Sequence, residues 1–283
     1  MAAFGANRSC GIDPLKMKDH DVNKHDRDAL EARSKTADIP GKPPRVLVGI
    51  LGGMGPAATA DFLEKLIAAT PANRDQDHLP VAIWSNPRIP NRNDALLVPG
   101  SPSPVADLQF GVRQLETLGA NFIAIACNTA HHWHAEMQSA VSIPILHIAD
   151  IAIASLREGG HRPGTSVGLM CSDGTLASGY YDNRLEAAGF KVVRPTNEMQ
   201  KRVMRAVYAV KSGDMMLATV LSLQLCREFV TAGADVLLLA CTELPVALAG
   251  HLEVLPPHID ATFSLAHACV AKALQVAEAA AAR

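Results

Sequence analysis

The stretch GANFIAIACNTAHHW, residues 119–133, holds a short apolar run that stops at a cysteine followed by Asn128 and Thr129. Phe122 to Ala126 is rich in strand formers and follows a Gly-Ala pair that would close a preceding helix. A continuous apolar run of this length suits a parallel strand buried on both faces. Cys127 then falls at the strand's carboxyl end, which is where open α/β sheets place their ligand crevice. A single cysteine there could equally be a small core residue.

The same stretch occurs twice. Residues 233–245 read GADVLLLACTELP, and an ungapped alignment sets Gly119, Ala120, Ala126 and Cys127 on Gly233, Ala234, Ala240 and Cys241, a constant shift of 114 residues. A second pair supports the repeat. Val48-Gly49-Ile50-Leu51 precedes the loop Gly52-Gly53-Met54-Gly55, and Val167-Gly168-Leu169-Met170 precedes Cys171-Ser172-Asp173-Gly174, at a shift of 119. Each half thus opens with a strand and a small-residue loop, and later delivers a cysteine at a strand end. An internal duplication accounts for this. Two α/β halves would face each other across a cleft, with one cysteine on each side.

The chain has 283 residues, enough for two α/β domains, with 48% hydrophobic and 19% charged residues, as in a soluble globular protein. A net charge of −2 gives no electrostatic case for a nucleic-acid partner or a membrane surface. No apolar run reaches the length of a membrane span. Residues 1–44 are polar and mixed in charge, lack the apolar core of a secretion signal, and read as a poorly ordered extension. None of the six cysteines forms a C-x-x-C pair, so reduced thiols in a cytoplasm are expected. Cys226 and Cys269 fall in helical patterns as packing residues; Cys171, at a strand end, is a weaker functional candidate.

The pattern along the chain predicts strands at 45–51, 81–86, 121–126 and 143–147, with helices at 56–69, 104–118 and 130–140 and a loop from 87 to 100. In the second half it predicts strands at 166–171, 190–194 and 235–240. Helices are expected there at 177–188, 197–210, 214–232 and 245–250, and a last one at about 260–282. Alternating βα units imply parallel sheets. The expected division is an extension over 1–44, a first α/β domain of 45–149 plus 256–283, and a second of 150–255.

Other motifs carry less. Gly53-Met54-Gly55 with Ala58 fits a dinucleotide-binding loop, but the second strand ends in Ser85-Asn86-Pro87 where that fingerprint needs an acid for the ribose. The loop reads better as a tight turn whose N–H groups receive a carboxylate. His131, His132 and His134 cluster after Cys127 but lack an H-x-x-x-H spacing and a matched acid, so no metal is expected. Arg92, in the loop after a strand, can grip a carboxylate or be a solvated surface charge. Lys201 is a second anion contact or a helix-surface charge.

Taken in order, LGGMGPAAT, SNPRIPNR, ACNTAHH, EMQKRVMRAVY and ACTELP closely resemble the cofactor-independent aspartate/glutamate racemase family over residues 45–283. The resemblance implies two α/β domains with parallel sheets, related by a pseudo-twofold axis, with the active site between them, in a homodimer that needs no cofactor. It implies Cys127 and Cys241 as the two acid/base residues. Asn128, Thr129 and Thr242 would hold the α-carboxylate and ammonium of a small dicarboxylic amino acid, with Met54 and Glu243 in the same set. Arg92 and Lys201 would meet the side-chain carboxylate. Hydantoin racemases and maleate isomerases belong to the same family and remain alternatives, as does a non-catalytic binder of small acids.

The chemistry suits the residues. Inverting an α-carbon needs a base on one face and an acid on the other, and two thiols on opposite walls supply both. The attacking sulfur must be a thiolate while its partner stays a thiol. Helix N-termini just after both cysteines are expected to lower their pKa values.

Overall fold

The computed structural model describes residues 46–282; the expected extension over 1–44 and Cys10 lie outside them. Two parallel sheets are built by the same path. In the first, β1 (Val48–Gly52) lies between β2 (Val81–Ser85) and β3 (Phe122–Ile125). In the second, β4 (Ser166–Cys171) lies between β5 (Lys191–Val193) and β6 (Val236–Ala240), and β7 (His258–Asp260) adds beyond β6. The duplicated sequences therefore occupy equivalent strands: β1 matches β4, and β3 matches β6. Gly49 and Gly168 mark equivalent close approaches, since a Cβ on either would stand 3.0 Å from the Cβ of Ala120 or Ala234.

The two-residue period of the strands decides which side chains meet. Val48, Ile50, Phe122, Ala124, Val167, Leu169, Val236 and Leu238 all join one buried cluster, which spans both sheets. Between the sheets it is filled by α1 (Pro56–Ala69), α5 (Ile148–Glu158) and α11 (Ala261–Ala281). The alternate residues face outward to two separate cores. Ile123, Ile125 and Cys127 pack on the side of α3 (Val105–Thr117), whereas Leu237, Leu239 and Cys241 pack on the side of α8 (Asn197–Ser212) and α9 (Met215–Thr231). The same parity sends Cys171 into the shared core, fully buried, where burial pushes its thiol far up. That weaker candidate is a packing residue, as Cys226 and Cys269 are; all five described cysteines are free.

Several elements differ from the sequence expectation. The loop from 87 to 100 contains a helix, α2 (Arg92–Leu97), capped by Asn91, whose Oδ1 accepts from the Asn93 N–H at 2.9 Å. The segment expected as one helix over 130–140 is a 3₁₀ turn, Thr129–Trp133, followed by α4 (His134–Gln138). The strand expected at 143–147 is reduced to one bridge between Ile123 and Ile145. Helix α5 follows it, and its cap is His147 Nδ1 accepting from Ala149 N–H, which is not a sequence signal for a helix start. Left-handed Gly179 divides the helix expected at 177–188 into α6 (Asp173–Ser178) and α7 (Tyr180–Ala187). A short helix, α10 (Glu243–Ala247), follows Cys241. The segment 256–283, expected with the first half, divides: β7 extends the second sheet, and α11 packs on α1 and α5.

The glycine loop after β1 is fixed by backbone. Gly53 has φ of +89°, and a Cβ there would lie 2.5 Å from the main chain of Asn86. Neither the conformation nor the neighbour can relax cheaply. Gly53→Ala is expected to destabilise the fold by roughly 1–3 kcal/mol, measured as a lowered urea midpoint with an unchanged slope. An unchanged midpoint would show that the loop yields.

Candidate active site

Both sequence-matched cysteines line one cleft. Its walls are Met54, Asn91, Arg92, Asn93, Cys127, Asn128 and Thr129 from the first half, and Ser172, Val207, Lys211, Cys241, Thr242 and Glu243 from the second. Its free volume is about 20 Å³, room for a single water. Helix α2 closes it by contact with α6, where Asn93 Oδ1 accepts from the Gly174 N–H at 2.9 Å.

On the first wall, the chain after β3 is held from behind. The Tyr180 hydroxyl donates to the Asn128 carbonyl at 2.8 Å, and the Tyr181 hydroxyl donates to Asn128 Oδ1 at 2.7 Å. Asn128 is buried, and its Nδ2 amide has no protein partner. Thr129 Oγ1 joins Ser172 Oγ at 2.8 Å and Thr175 Oγ1 at 3.0 Å, so its hydroxyl ties the two halves. Arg92 reaches the glycine loop. Its Nη1 donates to the carbonyls of Ile89 and Pro90, each at 3.0 Å, and its Nη2 to the Met54 carbonyl at 3.1 Å. A guanidinium has five N–H donors, so one Nη2 proton and the buried, unpartnered Nε–H are left over. Orphaned donors of this kind suit a carboxylate.

The second wall carries a chain of charge. Cys241 Sγ donates to Glu243 Oε2 at 3.2 Å, Thr242 Oγ1 donates to the same oxygen at 3.2 Å, and Lys211 Nζ lies 3.1 Å from Glu243 Oε1. Burial, and then the Glu243 carboxylate, raise the Cys241 thiol well above its ordinary range, although Lys211 opposes them. The expectation that a helix start would lower this thiol is corrected: α10 is short, and burial beside an acid outweighs it. Burial favours the neutral form of Lys211, but Glu243 and then both cleft cysteines favour its cation, and the net shift is upward. Reciprocally, the Lys211 charge favours the Cys241 thiolate.

One candidate is displaced. Lys201 stands exposed on the second turn of α8, paired with Glu198 at 2.7 Å, and does not reach the cleft. Lys211, near the end of the same helix, is the lysine that does. The helical pattern shows two lysines ten positions apart, but not which end of α8 meets the other half. Ser172 and the tyrosine pair behind Asn128 were also missed as site residues. Ser172 had a signal, because it lies in the repeat counterpart of the glycine loop.

The histidine cluster supports the first wall from outside the cleft. His131 Nδ1 lies 2.8 Å from the Cys127 carbonyl and His134 Nε2 lies 2.9 Å from the Ile145 carbonyl. The His131 and His147 ring centroids are 5.1 Å apart, and those of His134 and His147 are 4.8 Å apart. Burial lowers the pKa of both His131 and His147 to about 3, helped at His131 by His147 and at His147 by Arg184. Both are neutral when folded, whereas the unfolded chain takes up their protons below about 6.5. Stability is therefore expected to fall as pH drops from about 6.5 toward 3, by up to about 1.4 kcal/mol per pH unit for each histidine. Urea midpoints at pH 7, 6 and 5 check this; equal midpoints would contradict it.

Comparison with known proteins covers most of the described residues. The sequence profile of the Asp/Glu/Hydantoin racemase family matches residues 51–269. The chain is 30% identical over 228 residues to the broad specificity amino-acid racemase RacX of Bacillus subtilis (strain 168), covering 79% of this chain and 96% of that one. Among solved structures, it matches Picrophilus torridus aspartate racemase with a TM-score of 0.73 and 34% identity, over 81% of this chain and 94% of that one. The glutamate racemase of Francisella tularensis subsp. tularensis SCHU S4, solved with D-glutamate, shares the fold at a TM-score of 0.56 and 16% identity, over 82% and 81% of the two chains.

Proposed function

This chain belongs to the Asp/Glu/hydantoin racemase family, and we propose that it interconverts L- and D-aspartate by two-cysteine proton transfer at the α-carbon. We extend the proposal to a cytoplasmic homodimer that acts without a cofactor. The observation that carries it is the convergence of Cys127 and Cys241, from equivalent strand ends of a duplicated fold, on one cleft. A binding protein for small acids would need the anion contacts but not a sulfur on each wall.

In this reading the substrate's α-carboxylate takes the free donors of Asn128, and its side-chain carboxylate takes Arg92 and Lys211. Thr129, Thr242, Met54 and Glu243 shape the remaining wall. Cys241, a thiol bound to Glu243, stands ready as the acid. The Cys127 thiolate then removes the α-proton of one enantiomer, and Cys241 delivers its proton to the opposite face. The reverse reaction exchanges the roles. The α-proton of an amino acid is very weakly acidic, so the developing negative charge needs positioned N–H groups and the Lys211 cation nearby. Similarity to an aspartate racemase supports aspartate as the substrate, and similarity to a broad-specificity racemase supports amino-acid racemisation in general.

Chiral chromatography of purified protein incubated with L-aspartate and D-aspartate tests the proposal. Each enantiomer is expected to give the other. Conversion of maleate with no inversion of aspartate would overturn it in favour of a maleate isomerase.

A further inference from the structure

Helix α7 belongs to the second half, yet its first two residues bond to the first wall of the cleft. The Tyr180 hydroxyl holds the Asn128 carbonyl at 2.8 Å, and the Tyr181 hydroxyl holds Asn128 Oδ1 at 2.7 Å. Tyr181 is fully buried in the core shared by the two sheets and does not line the cleft. Burial raises both phenols well above the usual tyrosine range, so each keeps its proton and remains a donor.

An asparagine amide has an acceptor end and a donor end. A half-turn about one bond exchanges them, and only the nitrogen end can receive a carboxylate. With Oδ1 held by Tyr181, Nδ2 is the end left over. It is buried and has no hydrogen-bond partner among the described residues, while Asn128 itself lines the cleft. An unpaired buried donor is costly, and a ligand that accepts from it removes that cost.

We propose that Tyr181 is a positioning residue, which holds Oδ1 and so fixes the Asn128 amide with Nδ2 as the donor to the substrate's α-carboxylate. The inference rests on the racemase reading above and adds a residue outside the cleft that sets the polarity of one contact inside it. Tyr180 secures the main chain of the same asparagine, so the side chain turns about a fixed backbone. Without the Tyr181 hydroxyl the amide is free to turn, and once turned it sets an acceptor oxygen against the carboxylate.

The test measures kcat and KM for inversion of aspartate on wild type, Tyr181→Phe, Asn128→Ala and the double variant. Phenylalanine keeps the ring that fills the core and removes only the hydroxyl. Tyr181→Phe is expected to lower kcat/KM by about 10- to 100-fold, the worth of a hydrogen bond to a charged group. The loss should fall chiefly on KM, since the carboxylate is charged before the reaction begins. In the Asn128→Ala background the same change is expected to alter kcat/KM by less than about twofold, because the amide through which it acts is gone. A fall in kcat at unchanged KM, the mark of a damaged fraction of the enzyme, would overturn the inference. Equal losses in both backgrounds, or no loss in Tyr181→Phe alone, would overturn it too. Wild type supplies a check that needs no variant to fold: the Asn128 side-chain NH₂ resonance should shift when aspartate is added, and an unmoved resonance would overturn the inference. No inversion of aspartate by wild type would overturn the racemase reading, and the inference with it.

Discussion

Replacement of either Cys127 or Cys241 by alanine is expected to abolish racemisation in both directions. In the proposed mechanism each direction uses one sulfur as base and the other as acid, so neither enantiomer has a complete path once one is gone. Positioned acid–base groups are each worth about 10²- to 10⁴-fold, and a variant lacking one should fall by at least that much. Both sulfurs are buried at strand ends, and cysteine to alanine removes little volume, so the fold should persist. The serine variants are more informative. The remaining thiol can still exchange the α-proton of one enantiomer with solvent, without inversion, and the two single variants should act on opposite enantiomers. Full racemase activity in either alanine variant would contradict the two-thiol account.

The second large effect separates the two lysines of α8. Lys211→Ala is expected to lower kcat/KM for aspartate by about 30- to 1000-fold, the loss of a charged partner in a largely desolvated site worth roughly 2–4 kcal/mol. It also leaves the buried Glu243 carboxylate without its cation, which should hold Cys241 still more firmly as a thiol. Lys201→Ala, on an exposed pair with Glu198, should change the same constant less than about threefold, since exposed ion pairs contribute little. Steady-state kinetics of the two variants side by side decides it. A large effect at Lys201 with none at Lys211 would reverse the assignment of the anion contact.

That contrast also marks how far the sequence could be read. Cys127 and Cys241 were legible because duplication leaves a trace that needs no contact information: two apolar runs of equal length, each ending in Ala-Cys, at a constant offset. The sheets followed from the same trace, and β1 and β4 both centre their sheets as the repeat requires. Lys211 was not legible. Lys201 and Lys211 lie on one amphipathic helix, and only tertiary packing decides that the end near Val207 meets the cleft. Helix α2 was hidden because Asn91-Arg92-Asn93-Asp94 has the composition of a loop, while in the structure its first asparagine is a cap. Glu243 was assigned to the substrate set, but its bonds to Cys241 and Lys211 exist only once α8 and the segment after β6 have come together. The strand parity that buries Cys171 is present in the sequence, but it becomes informative only when both faces of β4 are known to be covered.

The most direct measurement follows deuterium during the first few per cent of conversion of L-aspartate in deuterated water, with the enantiomers separated before mass detection. A thiolate on one wall and a thiol in exchange with solvent on the other predict D-aspartate that carries deuterium at the α-carbon, while the unconverted L-aspartate stays protiated. Deuterium appearing first in the L-aspartate pool, or D-aspartate that retains the original proton, would mean that a single group serves both faces, and would contradict the assignment of Cys127 and Cys241 to opposite sides of the α-carbon.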